Sequence, residues 1–308
     1  MSSEITVREA AAPTDVEAFW TQLHEYFTRD LFPDPEDEDR DYFLGSEYRE
    51  QMQHIHDRGR DRCHYLFFCS EGRDVGFAMP VIYDSEDGKC FIMEFCVYPE
   101  FRGKGIGRMC AEVMLNWAWT KGACYAELNC GREDRSRFWK SLGFRENGAD
   151  EWGEPLMILP PEEDVPIKVE ALSDPEDWQL YKLENGFLKE IGEQPLEEAQ
   201  QERLSEAIRA ERITFFVAKR GCRMVGMCSV AKCFSTFGCR DTGVFEDFYI
   251  EPVFRGKGIA RQLCLAVLQW AKHQGLASIT VSCAPCDEAL YNALGFDTRL
   301  GITYAHII

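Results

Sequence analysis

One short string occurs twice in this chain. Phe101-Arg102-Gly103-Lys104-Gly105-Ile106-Gly107 returns as Phe254-Arg255-Gly256-Lys257-Gly258-Ile259-Ala260. Two flanking landmarks repeat in the same order at nearly the same separation. These are Val75-Gly76 with Val225-Gly226, and Leu142-Gly143-Phe144 with Leu294-Gly295-Phe296. A repeat this long is a duplicated domain and not a solenoid of short units. The 308 residues then divide into two domains, 1–160 and 166–308. The seam is expected within 159–166, Leu-Pro-Pro-Glu-Glu-Asp-Val-Pro, where prolines and acids deny both helix and strand.

Each half reads alike. Opening strands are predicted at 5–9 and 167–171, with helical stretches at 15–28 and 197–211. Strand pairs follow at 65–69 and 75–83, matched by 214–219 and 224–230. A further strand, 90–97 or 244–250, runs straight into the glycine-rich string. Beyond it, Ile106, Met109, Cys110, Val113, Met114 and Trp117 share one helical face. Ile259, Leu263, Ala266, Val267 and Trp270 do the same in the second half. That spacing belongs to a helix packed on a sheet. Short strands near 125–129 and 278–282, and a short helix ending at Gly143 or Gly295, complete each half. The class is α/β, a mixed sheet covered by helices.

A glycine-rich turn between a strand and an amphipathic helix has a specific use. Glycine permits positive φ and lets the backbone approach a ligand closely. The first amides of the helix lack intrahelical acceptors, and the helix dipole favours negative charge there. The turn is therefore expected to hold a phosphate or pyrophosphate. Arg102, Lys104 and Arg108, or Arg255, Lys257 and Arg261, add positive charge. No Gly-Lys here is followed by Ser or Thr, so the turn is not a P-loop. The Gly-x-Gly-x-Gly/Ala spacing, met in mid-domain, is not a dinucleotide fingerprint either.

Charge narrows the partners. A net charge of -19 argues against binding nucleic acid or anionic membranes, and it suits a cationic small molecule. The excess is densest at 34–41, read as a solvated acidic loop. The start, MSSEITVREA, lacks a basic segment followed by an apolar run. No stretch nears the roughly 20 apolar residues that cross a bilayer. A soluble, cytoplasmic protein is expected. The 14 cysteines are scattered, and most of them read as small core residues of a reducing compartment. Cys283 and Cys286 have CxxC spacing, yet a lone pair cannot complete a four-ligand zinc site, and no metal is expected. His54 and His56, two apart, fall on different helical faces and read as exposed.

These residues together resemble the GCN5-related N-acetyltransferases. That family's signature, Arg/Gln-x-x-Gly-x-Gly/Ala, stands here as Arg102-Gly103-Lys104-Gly105-Ile106-Gly107 and Arg255-Gly256-Lys257-Gly258-Ile259-Ala260. The preceding strands and the later segments Phe138-Trp139-Lys140-Ser141-Leu142-Gly143-Phe144 and Leu290-Tyr291-Asn292-Ala293-Leu294-Gly295-Phe296 extend the likeness through both halves. The resemblance implies two tandem domains, each a mixed, largely antiparallel sheet flanked by helices. It implies acetyl-CoA, or another acyl-CoA, as cofactor. The backbones of Phe95, Cys96 and Val97, and of Phe248, Tyr249 and Ile250, would hold the pantetheine arm. The turns Arg102 to Arg108 and Arg255 to Arg261 would hold the pyrophosphate. The acceptor would be a small-molecule primary amine, cationic if the acidic balance bears on it, attacking the thioester directly.

Glu246-Asp247-Phe248 is similar to the Glu-Asp-Phe strand of the polyamine and diamine acetyltransferase branch. Successive strand side chains face opposite ways, so the two acids are expected to differ in role. The expectation is Glu246 as base, through water, and Asp247 in recognising substrate charge. Tyr291 matches the family's tyrosine that protonates the departing sulfur, and a phenol keeps its proton near neutral pH. The first half departs from the pattern. Trp139 stands at the tyrosine position, Met93 at that of Glu246, and Glu94 at that of Asp247. Arg132 and Ala284 replace an asparagine that the family often has. The first domain is thus expected to be catalytically degenerate, with the chemistry mainly in the second. Two other readings compete: acyl-CoA sensing without turnover, and acetylation of a protein or peptide amine. Assembly is expected to be a monomer or homodimer.

Overall fold

In the first unit, apolar runs become strands and stripes spaced by three and four become helices. The computed structural model describes residues 4–301 apart from 86, 151, 161–165 and 237. Residues 161–165 of the expected seam therefore lie outside the described residues. The chain divides into two compact units, Met1–Pro161 and Glu162–Ile308.

The first unit begins with β1 (Ile5–Glu9) and α1 (Pro13–Tyr26), which continues as a π-helical turn over Phe27–Leu31. Then come α2 (Arg40–Leu44), α3 (Ser46–His56), β2 (Arg62–Cys63), β3 (Leu66–Ser70), β4 (Arg73–Tyr83) and β5 (Lys89–Val97). The unit closes with α4 (Ile106–Thr120), β6 (Tyr125–Asn129), α5 (Glu133–Ser141), β7 (Arg145–Ala149) and β8 (Pro155–Leu159). The strand order is β1-β3-β4-β5-β6-β8-β7, with β2 on β4. Neighbours are antiparallel except β5 and β6, which α4 joins as a crossover. Strand alternation sorts the core into two layers. Leu66 and Phe68 pack with Cys110, Met114 and Leu115 of α4. Phe67 and Phe77 pack with Phe19, Trp20 and Leu23 of α1.

The second unit contains β9 (Ile167–Ala171), α6 (Trp178–Glu190), α7 (Glu198–Arg209), β10 (Ile213–Arg220), β11 (Arg223–Ser235) and β12 (Arg240–Ile250). It continues with α8 (Ile259–His273), β13 (Ile279–Val281) and α9 (Glu288–Ala293). The order is β13-β12-β11-β10-β9, antiparallel except between β12 and β13. The Asp177 side chain starts α6 by accepting from the Gln179 N–H. Leu180 and Leu183 of α6 then pack on Phe215, Val217 and Met227. Each unit is thus a mixed, largely antiparallel sheet flanked by helices.

Three details differ from the expectations. Only six of the 14 cysteines are buried, because many stand in turns and at the ends of strands and not on core faces. β11 and β12 run on as a long hairpin, to Ser235 and from Arg240. His56 is half-buried, not exposed. Its Nδ1 lies 2.8 Å from the Cys63 carbonyl oxygen, and its ring stacks on Tyr65 at 4.4 Å. The chain folds back from α3 onto β2, which helical spacing does not reveal.

Candidate active site

Two strands part at the same place in each unit. β5 pairs with β6 only from Lys89 to Phe91, and β12 pairs with β13 only from Gly243 to Phe245. On the other side, the ladder to β4 or β11 carries a bulge, between Met79 and Pro80 or between Met227 and Ser229. A bulge bends a strand and raises its local twist. Beyond it, residues 92–97 and 246–250 have no strand neighbour on the β6 or β13 side among the described residues. Backbone groups on such an edge can pair with an extended, amide-bearing arm as with another strand.

Each free edge ends at the glycine-rich turn. Gly103 and Gly105 have φ of 74 and 79, and Gly256 and Gly258 have φ of 74 and 80. A Cβ at any of the four would meet nothing within 4 Å. Backbone conformation, not crowding, therefore demands glycine. Gly105 and Gly258 are the N-caps of α4 and α8, and no side chain caps either helix. The first-turn amides face outward at the positive end of the helix dipole. This geometry fits the pyrophosphate of an acyl-CoA.

The cationic side chains of the turns are largely committed within the protein. Arg102 donates from Nε to the Val97 carbonyl at 2.7 Å and from its two Nη atoms to Asp30 at 3.0 and 2.6 Å. Arg255 repeats this, donating from Nε to the Ile250 carbonyl at 2.8 Å and from Nη2 to Glu190. Burial alone would raise the Asp30 carboxyl, but the bonds from Arg102 and Arg29 hold it down to about 2. Lys104 donates to the Glu100 carbonyl at 2.8 Å, and Arg108 to the Ser141 carbonyl at 2.6 Å. Lys257 lies over the Phe254 ring at 5.7 Å, and Arg261 is exposed. Ile259 is buried and anchors α8. The arginines thus brace the turn, and the amides remain as the anion cradle.

In the second unit, α9 carries Tyr291 to the free edge of β12. Its ring lies 6.3 Å from those of Phe245 and Phe248, and 5.9 Å from Phe296. Burial pushes the phenol up to about 12, so it keeps its proton at neutral pH. Glu246 is exposed, and its carboxyl is raised first by desolvation and then by the charge of Asp247. Asp247 sits at the bulge with φ of 47, and it accepts from Ser229 Oγ at 2.9 Å. Burial raises it despite that bond. Tyr249 points to α6, where its ring would lie 2.9 Å from a Cβ at Gly186.

Glu184 of α6 is a further acid at this site that the motifs do not mark. It is buried, and desolvation followed by the charge of Asp247 pushes it up to about 8. A signal was present: Glu184 shares the apolar stripe of Leu180, Leu183 and Phe187.

In the first unit, the free edge opens into a cavity of about 560 Å³. Phe95, Cys96, Val97, Arg102, Gly103, Gly107, Trp139 and Glu94 all line it. Lys104, Gly105, Ile106 and Arg108 form the turn beside it. Burial pushes Glu94 up to about 8, with the Arg135 charge drawing it partly back. The Trp139 ring lies 5.2 Å from Phe95 and 5.1 Å from Phe144, where Tyr291 lies by Phe248 and Phe296.

The model of the acetyltransferase (GNAT) family matches residues 20–144 and again 178–296. The chain belongs to this family. It is an acyl-CoA-dependent acetyltransferase, with one parted strand and one glycine turn in each matched region. Solved structures similar to it include an acetyltransferase of Trypanosoma brucei, 19% identical, covering 46% of this chain and 100% of that one at a TM-score of 0.40. Another is glucosamine-6-phosphate N-acetyltransferase of Arabidopsis thaliana, 17% identical, covering 46% and 98% at 0.39. A third is an aminoglycoside acetyltransferase from an uncultured soil metagenomic sample, in complex with sisomicin, 17% identical, covering 48% and 99% at 0.42. No protein of curated function matches the chain. Among the described residues, no helix is long and apolar enough to cross a membrane.

Proposed function

We propose that this protein transfers the acetyl group of acetyl-CoA to a primary amine of a small molecule, with the chemistry mainly in residues 166–308. The carrying observation is Tyr291 beside Phe248, at a strand edge that also bears Glu246 and Asp247. In this reading the pantetheine arm pairs with the backbones of Phe248, Tyr249 and Ile250. The pyrophosphate sits on the amides of Gly256 to Arg261. Glu246, through water, takes the proton of the incoming ammonium. The freed nitrogen attacks the thioester carbonyl, and the carbon–sulfur bond breaks. A phenol near 12 is a weaker acid than a thiol, at about 8.5, so complete transfer to a free thiolate is uphill. Tyr291 contributes by donating a hydrogen bond to the sulfur as charge builds there, and the thiol's final proton comes from solvent. A cytoplasmic location belongs to this reading, on the strength of the cysteine-rich composition.

The test is Tyr291→Phe in the full-length chain. Turnover with an amine panel is expected to fall by roughly 10²-fold, with acetyl-CoA binding kept. An equal loss from Trp139→Phe alone would place the chemistry in the first unit instead. A second reading has its own observation. The first-unit cavity, lined by Phe95, Cys96 and Val97 of the free edge and by Arg102 and Gly103 of the turn, favours acyl-CoA binding there as well.

A further inference from the structure

The first-unit cavity carries a charge pattern that cofactor binding leaves unused. Asp30, Glu94 and Asp134 line it together with Arg102, Arg132 and Arg135. Most of these groups satisfy one another. Arg102 donates to Asp30 at 3.0 and 2.6 Å, and Arg132 donates to Asp134 at 3.3 Å. Glu94 and Arg135 are left over, and they do not pair with each other. Among the described residues, Glu94 has no ion pair and Arg135 has none with a carboxylate. Arg135 instead donates from Nη2 to the Asp30 carbonyl at 3.0 Å. That bond joins α5 to the end of the α1 helix and fixes the guanidinium at the cavity wall. The second unit has Asp287 at the position of Arg135, four residues before Tyr291 as Arg135 is four before Trp139.

We propose that the first-unit cavity binds a free amino acid with an apolar side chain, its ammonium at Glu94 and its carboxylate at Arg135. This goes beyond acetyl transfer by the second unit and does not depend on it. A carboxyl and a guanidinium that line one cavity without meeting are two opposite charges left without partners. A monoamine or a monoacid answers only one of them. A zwitterion answers both and brings no net charge into the cavity. Only one N–H donor of Arg135 is spent on Asp30, and those that remain match a carboxylate in a fork. Leu31, Ile92 and Leu128 line the same cavity and suit an apolar side chain. Asp287 would repel a carboxylate in the second unit, so the site belongs to the first unit alone.

The experiment is calorimetry of the full chain, near neutral pH, with three probes of one shape. These are L-leucine, 3-methylbutylamine, which lacks the carboxylate, and 4-methylpentanoate, which lacks the ammonium. Leucine is expected to bind at least about ten-fold more tightly than either of the others. Arg135→Gln is expected to erase its advantage over the amine, and Glu94→Gln its advantage over the acid. No binding of leucine, or equal affinity for leucine and the amine, overturns the proposal. So does an advantage that survives both substitutions, because leucine then binds elsewhere. Each of these results leaves acetyl transfer by the second unit standing, since that is read from thiol release with amines. Should Arg135→Gln not fold, Arg135→Lys keeps the charge and loses the fork. The leucine-to-amine ratio is then expected to fall several-fold, and an unchanged ratio overturns Arg135 as the carboxylate anchor.

Discussion

At the scale of single residues, the molecule spends burial on acids. Glu94 and Glu184 are each pushed up to about 8, chiefly by desolvation, whereas an unfolded glutamate titrates near 4.3. Across that window the folded chain binds more protons than the unfolded one. The contribution to stability is complete below about pH 4.3, and it is lost as pH rises through about 8. The midpoint of urea unfolding, followed by circular dichroism, is therefore expected to fall between about pH 5 and about pH 8.5. Glu94→Gln and Glu184→Gln should each flatten that decline and leave the variant more stable at the higher pH. Curves parallel to wild type would show that these carboxyls ionise as freely as exposed ones. Asp30 has the opposite sign. Held down to about 2, it adds stability that disappears only as pH falls towards that value.

At the scale of elements, the seat of α6 is what places Glu184. A glycine inside a helix usually costs about 1 kcal/mol relative to alanine, so Gly186→Ala taken locally promises a gain. The Tyr249 ring lies where the new methyl would go, and overpacking costs about 1–3 kcal/mol. The expected net result is a loss of about 1 kcal/mol or more, read as a lower urea midpoint. A second substitution, Tyr249→Leu, should relieve it in the same chain. A simple gain from Gly186→Ala would mean that α6 rides loosely on β12. The glycine turns are a different case, because their demand for glycine is written into φ and is visible in the repeated string itself.

At the scale of the whole molecule, both units carry a parted strand, a bulge and a glycine turn. Calorimetry with acetyl-CoA is expected to give two binding events per chain. Gly107 lines the first-unit cavity, and a Cβ there already touches the Phe138 ring at 3.4 Å. Gly107→Trp should therefore fill that cleft and leave a single event. One event in the wild type, retained in Gly107→Trp, would limit cofactor binding to the second unit.

The duplication, the mixed sheets and the strand–turn–helix cradle were legible because local rules govern them. Glycine φ, helix dipoles and apolar spacing act over a few residues. Glu94 and Asp247 were likewise placed on the strand that forms the free edge. The pairing of Arg102 with Asp30 and of Arg255 with Glu190 was not legible, because each joins residues far apart in the chain. The turn arginines read as free charge in sequence, and only the fold turns them into braces. The stripe of Leu180, Leu183 and Phe187 marks Glu184 as core-facing, but nothing in that string reveals that the charge of Asp247 acts on it. Burial, and with it the state of a carboxyl, depends on what the rest of the chain packs against it. The sequence determined where an anion can be cradled, and the tertiary structure decided which charges remain available around it.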